Sequence, residues 1–178
     1  MTDSPELASL VLSRTIDVPD FPKPGIVFKD LMPLFADGPA FRKMIDGIVD
    51  HYGADAFDVV AGVEARGFVV AAAVAYATGT GVVPVRKAGK LPRERVAADY
   101  TLEYGTATLE LHADSISPGD RVLVVDDVLA TGGTLEAAIA LVERLGGVVE
   151  AVSVVIELAA LGGRQRIAPH AVHALWTT

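Results

Sequence analysis

The sequence of 178 residues predicts an α/β fold, with a mostly parallel central sheet and helices on both of its faces. Strand-like hydrophobic runs alternate with helix-like segments along the chain, as they do when crossover helices join parallel strands. The hydrophobic fraction is 51% but only 6% of the residues are aromatic, which favours close packing of helices on a sheet. Because no repeat, low-complexity tract or linker divides the chain, we expect a single domain over residues 1–178.

The first part of the chain is predicted to hold two helices separated by an irregular segment. Ser4 followed by Pro5 is typical of a helix start. Residues 17–30 contain three prolines and a glycine, so we expect no regular structure there. Asp37 begins the second helix. Its apolar face comprises Phe41, Met44, Ile45, Ile48 and Val49.

Strand-like runs and helices then alternate. Residues 58–62 are predicted as a buried strand with a helix at 67–77, and residues 82–85 as a second strand. A polar, charged segment at 86–106 follows, and the alternating run at 108–112 is predicted as an edge strand. The central strand is expected at 121–125 with its helix at 134–145, followed by strands at 148–156 and 171–176. Ligands of such sheets bind outside the carboxyl ends of the strands, where the candidate motifs lie.

Composition excludes several classes of function. A net charge of −8 argues against nucleic acid as the main partner, although a few local cations can still bind small phosphorylated ligands. The absence of cysteine excludes disulfides, thiolate catalysis and Cys-ligated zinc. Residues 67–85 carry no charge, but Gly79, Gly81 and Pro84 interrupt them, so they are interpreted as a helix, a turn and a strand. With polar first residues unlike a signal peptide, a cytoplasmic protein without a membrane partner is expected.

Residues 124–134 give the strongest functional signal: a hydrophobic strand, two carboxylates, a small-residue turn and a helix start. The two glycines let backbone N–H groups approach a ligand, and the helix start adds donors, so the turn suits a phosphate. The carboxylates can accept hydrogen bonds from a diol or attract a cation. A diol site beside a phosphate site describes ribose 5-phosphate, although carboxylates alone also suit a response-regulator pocket and glycines alone an ordinary turn. The candidate residues are Asp126, Asp127, Ala130, Thr131, Gly132, Gly133 and Thr134.

This run resembles the fingerprint of the type I phosphoribosyltransferases. The resemblance implies that Asp126 and Asp127 hold the 2′- and 3′-hydroxyls of the ribose and that residues 130–134 wrap its 5′-phosphate. It also implies the fold of that family and its donor, 5-phosphoribosyl-1-pyrophosphate (PRPP), which is taken up with Mg²⁺. Because the donor mainly holds the Mg²⁺, no direct protein ligand for the metal is expected.

Two basic segments follow predicted strands. Arg66 can place its guanidinium fork near phosphates, although for this segment alone a structural pairing with Glu64 is the simpler explanation. Residues 86–93 cluster cations in a chain that is acidic overall, which favours a phosphate site over an ordinary solvated surface.

Both segments, at residues 64–68 and 83–92, together with residues 102–105, are similar to the adenine phosphoribosyltransferases within that family. The resemblance spans about residues 13–168. It implies a cis peptide at Glu64–Ala65 and a mobile loop at residues 88–106 that closes over the donor. On that loop Glu103 would manage the proton of the base and Tyr104 would close the site, although Glu103 could also be a solvated carboxylate. The residues implied to contact pyrophosphate are Glu64, Ala65, Arg66, Arg86, Lys87 and Lys90.

Residues 20–30 are similar to the base-binding segment of these enzymes, and a hood is implied at residues 13–36. Backbone groups around Val27 and Lys29 would read the edge of adenine, with Phe28 stacking on one face and Leu158 on the other. Lys29 stands where Arg is commoner, which is harmless if this position acts through its backbone. The implied small molecules are adenine, PRPP, AMP and pyrophosphate, and the implied assembly is a homodimer.

Two alternatives remain at this point. A phosphoribosyltransferase for another base, such as xanthine or orotate, is disfavoured by residues 20–30 and 102–105. A regulator that keeps the fold as a ligand sensor and binds DNA or RNA would need a basic face or an added domain, and neither is visible.

Overall fold

The computed structural model describes residues 5–101 and 106–178, which form nine strands and six helices. The helices are α1 (Pro5–Ser13), α2 (Met32–Ala36), α3 (Gly38–Tyr52), α4 (Gly67–Thr78), α5 (Gly133–Arg144) and α6 (Gly163–Arg166). The strands are β1 (Ile16–Pro19), β2 (Val27–Asp30), β3 (Val59–Val63), β4 (Gly81–Lys87), β5 (Arg95–Thr101), β6 (Thr106–His112), β7 (Arg121–Leu129), β8 (Val148–Glu157) and β9 (Val172–Thr177). A 3₁₀ turn lies at Ala159–Leu161.

Seven strands form the central sheet, in the order β5-β6-β4-β3-β7-β8-β9. Five adjacent strands of this sheet are parallel to one another: β4, β3, β7, β8 and β9. The strand β6 is antiparallel to both of its neighbours, β5 and β4. The mostly parallel sheet that the sequence predicts is therefore confirmed, with an antiparallel extension at one side.

Helices cover both faces of the sheet, as predicted. On one face α1, α2, α3 and α4 bury a cluster that includes Met44, Val74 and Val125. On the other face α5 packs Leu135, Leu141 and their neighbours over β6, β7 and β8. Asp37 caps α3 by accepting the N–H of Ala40 (3.1 Å), which confirms the predicted helix start.

The prediction of no regular structure at residues 17–30 is wrong. β1 and β2 pair in an antiparallel hairpin, with Ile16 opposite Asp30. Each strand has only four residues, too few to show a periodic signal, and Pro19 is the last residue of β1, where a missing N–H disturbs no interior pairing. The irregular part is confined to residues 20–26, between the two strands.

The charged segment at 86–106, in which no strand is predicted, contains β5. This strand pairs with β6 along its whole length, from Arg95 opposite His112 to Thr101 opposite Thr106. As a consequence β6 is not the predicted edge strand: it lies between β5 and β4, and Leu109 and Leu111 are buried.

Residues 67–85 fold as the predicted helix, turn and strand, in α4 and the first part of β4. Among the described residues, no helix has the length and apolar character needed to cross a bilayer.

Candidate active site

A cavity of about 640 Å³ opens at the carboxyl ends of the parallel strands. It joins the β1–β2 hairpin, which forms a hood, to the end of β7, the start of α5 and the residues after β8. The parallel topology therefore brings together the motifs that the sequence places after separate strands. The lining residues are Gly25, Ile26, Val27, Phe28, Lys29, Arg66, Asp127, Val128, Ala130, Thr131, Thr134, Leu158 and Leu161.

The two carboxylates Asp126 and Asp127 lie inside β7, which continues past the predicted end at residue 125 as far as Leu129. Both are buried, and the N–H of Asp127 donates to Oδ1 of Asp126 (2.8 Å). Burial, together with the neighbouring charge of Asp127, raises the pKa of Asp126 well above its usual range. Such a pair can accept hydrogen bonds from a diol at the cavity floor.

Gly67 lets the first turn of α4 approach this pair closely. A Cβ at Gly67 would lie 2.9 Å from the carbonyl oxygen of Val125 and 3.0 Å from Oδ1 of Asp126. Only glycine fits at this distance without displacing β7, so α4 and the acidic pair are held in one rigid arrangement.

The turn before α5 forms a small cradle of about 70 Å³ that is lined by Asp126 and residues 128–135. Gly132 adopts a left-handed conformation with φ 84°, and no described side chain caps the helix that begins at Gly133. The first N–H groups of α5 therefore have no helical partner and lie at the positive end of the helix dipole. This cradle suits a phosphate, as the sequence predicts.

Arg66 connects the acidic pair to the hood. The peptide bond between Glu64 and Ala65 is cis, which confirms that prediction. Nε of Arg66 donates to Oδ2 of Asp127, and its guanidinium carbon lies 4.9 Å from the ring centroid of Phe28. Arg66 thus points towards residues 126–134, and in this arrangement its charge is balanced by Asp127.

Glu64 contacts three residues of the predicted cation cluster. Its buried carboxylate accepts hydrogen bonds from Nζ of Lys90 (2.5 Å) and from the backbone N–H of Lys87 (3.0 Å), and Nε of Arg86 lies 3.3 Å away. Burial acts to raise the pKa of Glu64, but these hydrogen bonds and the charges of Lys90 and Arg86 outweigh it and hold the pKa below its usual value. Lys87 makes its contact through the backbone, and its side chain is exposed.

The turn that carries Lys90 is attached to β6. The N–H of Gly89 donates to Oε2 of the buried Glu110 (3.0 Å), and the N–H of Ala88 donates to the carbonyl of Thr108 (3.0 Å). Arg95 balances the charge of Glu110 at 2.9 Å. Glu110 was not singled out in the sequence, because its role depends on pairing between strands.

The hood residues Val27, Phe28 and Lys29 line the cavity opposite Leu158, as the base-site prediction requires. Phe21 packs edge-on against Phe28 with ring centroids 5.2 Å apart. Both walls therefore offer apolar surface to a flat ligand, while the backbone of β2 lies at the rim.

Gly163 packs against the phosphate cradle and the adjacent Arg164 pairs with Glu157, and the sequence reasoning missed both. A Cβ at Gly163 would lie 2.2 Å from the carbonyl oxygen of Ala130, so this segment is packed directly against the cradle. Arg164 donates to Oε1 of Glu157 (2.9 Å), and this hydrogen bond lowers the pKa of Glu157. The Gly162-Gly163 pair was the available signal in the sequence. Glu103 and Tyr104, predicted as catalytic, lie outside the described residues.

Comparison with known proteins identifies the family. Residues 36–171 match the family described as phosphoribosyl transferase domain. Adenine phosphoribosyltransferase of Salinispora arenicola (strain CNS-205) is 68% identical over 171 residues, which cover 96% of this chain and 91% of that protein. The chain belongs to the adenine phosphoribosyltransferase family.

Solved adenine phosphoribosyltransferases share the whole fold. The crystal structure from Rhodothermus marinus DSM 4252 matches with a TM-score of 0.93 at 44% identity, covering 98% of this chain and 100% of that one. The Saccharomyces cerevisiae structure matches with a TM-score of 0.90 at 37% identity, covering 96% and 98% respectively. That adenine phosphoribosyltransferase was crystallised with adenine and D-2,5-dideoxy-2,5-imino-altritol 1,6-bisphosphate.

Proposed function

We propose that this protein transfers the 5-phosphoribosyl group of PRPP to adenine, giving AMP and pyrophosphate, a reaction of purine salvage. One observation carries the proposal: the large cavity holds an apolar slot between Phe28 and Leu158 together with Asp127, and it adjoins the small phosphate cradle, which Asp126 lines. A base, a ribose and a phosphate need these three environments in this order. The membership of the family and the adenine in the yeast complex support the same assignment.

In this proposal Asp126 and Asp127 accept hydrogen bonds from the two ribose hydroxyls, and residues 130–134 surround the 5′-phosphate. Arg66 leaves Asp127 and contacts the pyrophosphate together with Arg86, Lys87 and Lys90. These cations stabilise the negative charge that grows on the leaving group, which is stabilisation directed at the transition state.

Mg²⁺ fits this site by the chemistry of the available ligands. It prefers hard oxygen atoms, which the donor's phosphates supply, and Asp126 and Asp127 attract a cation to the cavity floor. When bound, the ion neutralises charge on the departing pyrophosphate. We therefore propose that the protein takes Mg²⁺ up with PRPP and does not bind it in a cage of its own side chains.

Adenine loses a proton when its ring nitrogen bonds to the ribose carbon. We propose that Glu103 accepts this proton or stabilises the charged base, and that Tyr104 helps to close the site over it. Both belong to the proposed closing loop at residues 88–106, and the hood at residues 13–36 supplies the base contacts within one domain of 178 residues. Val27 and Lys29 would read the adenine edge through their backbone, while Phe28 and Leu158 enclose its faces.

A base-selectivity assay tests the proposal. We expect adenine to be converted with PRPP and Mg²⁺ at a kcat/KM at least about a hundredfold above those of hypoxanthine and guanine. A site that pairs with a 6-amino group leaves its own polar groups unsatisfied when a 6-oxo base enters. Comparable efficiency with hypoxanthine would exclude the adenine assignment. Pyrophosphate release at the same rate with and without adenine, and with no AMP formed, would exclude the transferase reaction.

The assembly that we propose is a homodimer formed through the outer face of α4. From Gly67 to Thr78 this helix has no charged residue, yet Val69 is 46% exposed and Tyr76 is 91% exposed. A helix that is apolar on all sides is normally covered. Val82 of β4, which α4 contacts, adds to the exposed apolar area. A second copy of the chain would cover this face, and the proposal otherwise keeps the enzyme in the cytoplasm without a nucleic-acid or membrane partner, in keeping with its net charge of −8.

A further inference from the structure

The side chain of Lys29 links the hood to the central sheet. Its Nζ lies 2.7 Å and 2.9 Å from the two carboxylate oxygens of Asp17, which faces it across the hairpin. The same Nζ lies 5.5 Å from the ring centroid of Trp176, within the range of a cation–π contact. Only 17% of the Lys29 side chain is exposed, so its charge is held between these two groups and does not extend into solvent.

Trp176 lies beside the strand that leads to the opposite wall of the base site. It pairs with Ile156 of β8, two residues before Leu158, and the N–H of Thr178 donates to the carbonyl of Glu157 (3.0 Å). Trp176 and Leu158 also pack against the same core cluster. The contact between Lys29 and Trp176 therefore joins β2, which carries Phe28, to the part of the sheet that carries Leu158.

A second link holds the hood on the side of the acidic pair, through Phe28, Arg66 and Asp127. In the proposed reaction Arg66 turns to the pyrophosphate and this link is released. The contact of Lys29 with Trp176 does not involve any group that meets the donor, so it persists while the base is bound.

We propose that Lys29 is a positioning residue for the base, which sets the separation of Phe28 from Leu158 through Asp17 and Trp176 without its ammonium contacting the base. This inference rests on the proposed function and adds Asp17 and Trp176 to the residues that determine base binding. Because Asp17 is more than half exposed, the ion pair adds little to stability. Its effect is on geometry, because the separation of the two walls determines how closely they contact the base.

The test compares Lys29→Met, which keeps the length of the side chain and removes its charge, with Lys29→Arg, which can keep both contacts. We expect Lys29→Met to raise the KM for adenine about tenfold, with kcat and the KM for PRPP within twofold of wild type. Lys29→Arg should restore the adenine KM to within about twofold. The matched control is Lys43→Met, which breaks an exposed ion pair with Glu6 between α3 and α1 and should change none of these constants.

A second measurement does not depend on activity. Hydrogen exchange of the β2 amides, residues 27–30, should be faster in Lys29→Met and in Trp176→Leu than in wild type. The double variant should exchange no faster than Lys29→Met, because Lys29→Met alone already breaks the contact with Trp176. Unchanged exchange would overturn the link itself. Faster exchange with an unaltered adenine KM, or an equal rise in both KM values, would overturn the positioning role. A wild-type protein inactive with adenine would instead refute the proposed function, and the exchange data would still decide whether the link exists.

Discussion

Asp126 is buried beside a second carboxylate, and this arrangement costs stability. The folded protein binds a proton at Asp126 more tightly than the unfolded chain does, because its pKa is raised by burial and by Asp127. Folding at neutral pH therefore costs free energy at Asp126, because the ionised carboxylate is disfavoured in its buried position. The pKa of Asp126 is near 3.8 in the unfolded chain and higher in the folded protein. The contribution of Asp126 to stability is therefore complete below pH 3.8 and is lost as the pH rises through the folded pKa.

Replacing Asp126 by Asn should therefore have opposite effects on stability and activity. We expect Asp126→Asn to raise the Tm at pH 8, with a gain that shrinks as the pH is lowered towards 4, because the amide does not ionise and keeps an oxygen for the N–H of Asp127. Turnover should fall about ten- to a hundredfold, since the charge-assisted hydrogen bond that we propose between Asp126 and the ribose would be lost. Thermal denaturation across pH and steady-state kinetics measure both effects.

Asp46→Asn, at an exposed position on α3, is the matched control and should change neither quantity. A lower Tm for Asp126→Asn at pH 8, or a rise in Tm that is independent of pH, would contradict the conclusion that burial destabilises the ionised carboxylate at this position.

At the scale of elements, the hydrophobic runs were sufficient to predict β3, α4, β7, α5 and β8 to within a few residues. Their strands are buried on both faces, so continuous apolar sequence marks them. Sequence patterns did not predict the short strands β1 and β2 or the charged strand β5. Each of these strands is stabilised by pairing with a partner and carries no hydrophobic pattern of its own. The polar motifs could be placed together because parallel strands end at one edge of the sheet.

Other parts of the site could not be predicted, because they depend on contacts between distant segments. Lys29 meets Trp176 across almost the whole chain, and Gly163 meets Ala130 only after α5 and β8 have packed. In neither case does the local sequence contain a pattern that identifies the residue contacted. Motifs within one segment were therefore located correctly, while the residues that support them from other segments were found only in the structure.

The packing of Gly163 beneath the phosphate cradle leads to a prediction at this scale. A methyl group at Gly163 would overlap the carbonyl of Ala130 and the side chain of Leu129, so it must displace the cradle. We expect Gly163→Ala to raise the KM for PRPP roughly tenfold and to cost about 1–3 kcal/mol of unfolding free energy from overpacking. Kinetics and denaturant unfolding measure the two effects.

Gly38→Ala provides the comparison, because a Cβ there meets nothing within 4 Å and no strained backbone is involved. It should leave the KM for PRPP unchanged. A Gly163→Ala variant with normal PRPP binding would show that the segment before α6 does not support the cradle.

For the molecule as a whole, the outer face of α4 predicts how two copies associate. We expect the wild-type protein to be a dimer by light scattering after size exclusion, and Tyr76→Glu combined with Val69→Glu to be a monomer, because like charges without a partner would be placed in the apolar contact. Val148→Arg, at an equally exposed apolar position on the start of β8, should remain a dimer. A wild-type monomer at micromolar concentration would refute the proposed interface.

The ion pairs within the cavity also bear on which anions can compete with the donor. Glu64 already pairs with Lys90 and Arg86, and Asp127 already pairs with Arg66. A tethered carboxylate competes for its cations at an effective concentration of about millimolar or more. A small free anion such as chloride or inorganic phosphate must displace that internal competitor for a single contact, and it gains little. A donor that carries both a pyrophosphate and a diol would, in the proposed function, replace the partners of these cations and of Asp127 together. At the proposed pyrophosphate contacts the protein's own carboxylates therefore disfavour simple anions before any base is bound.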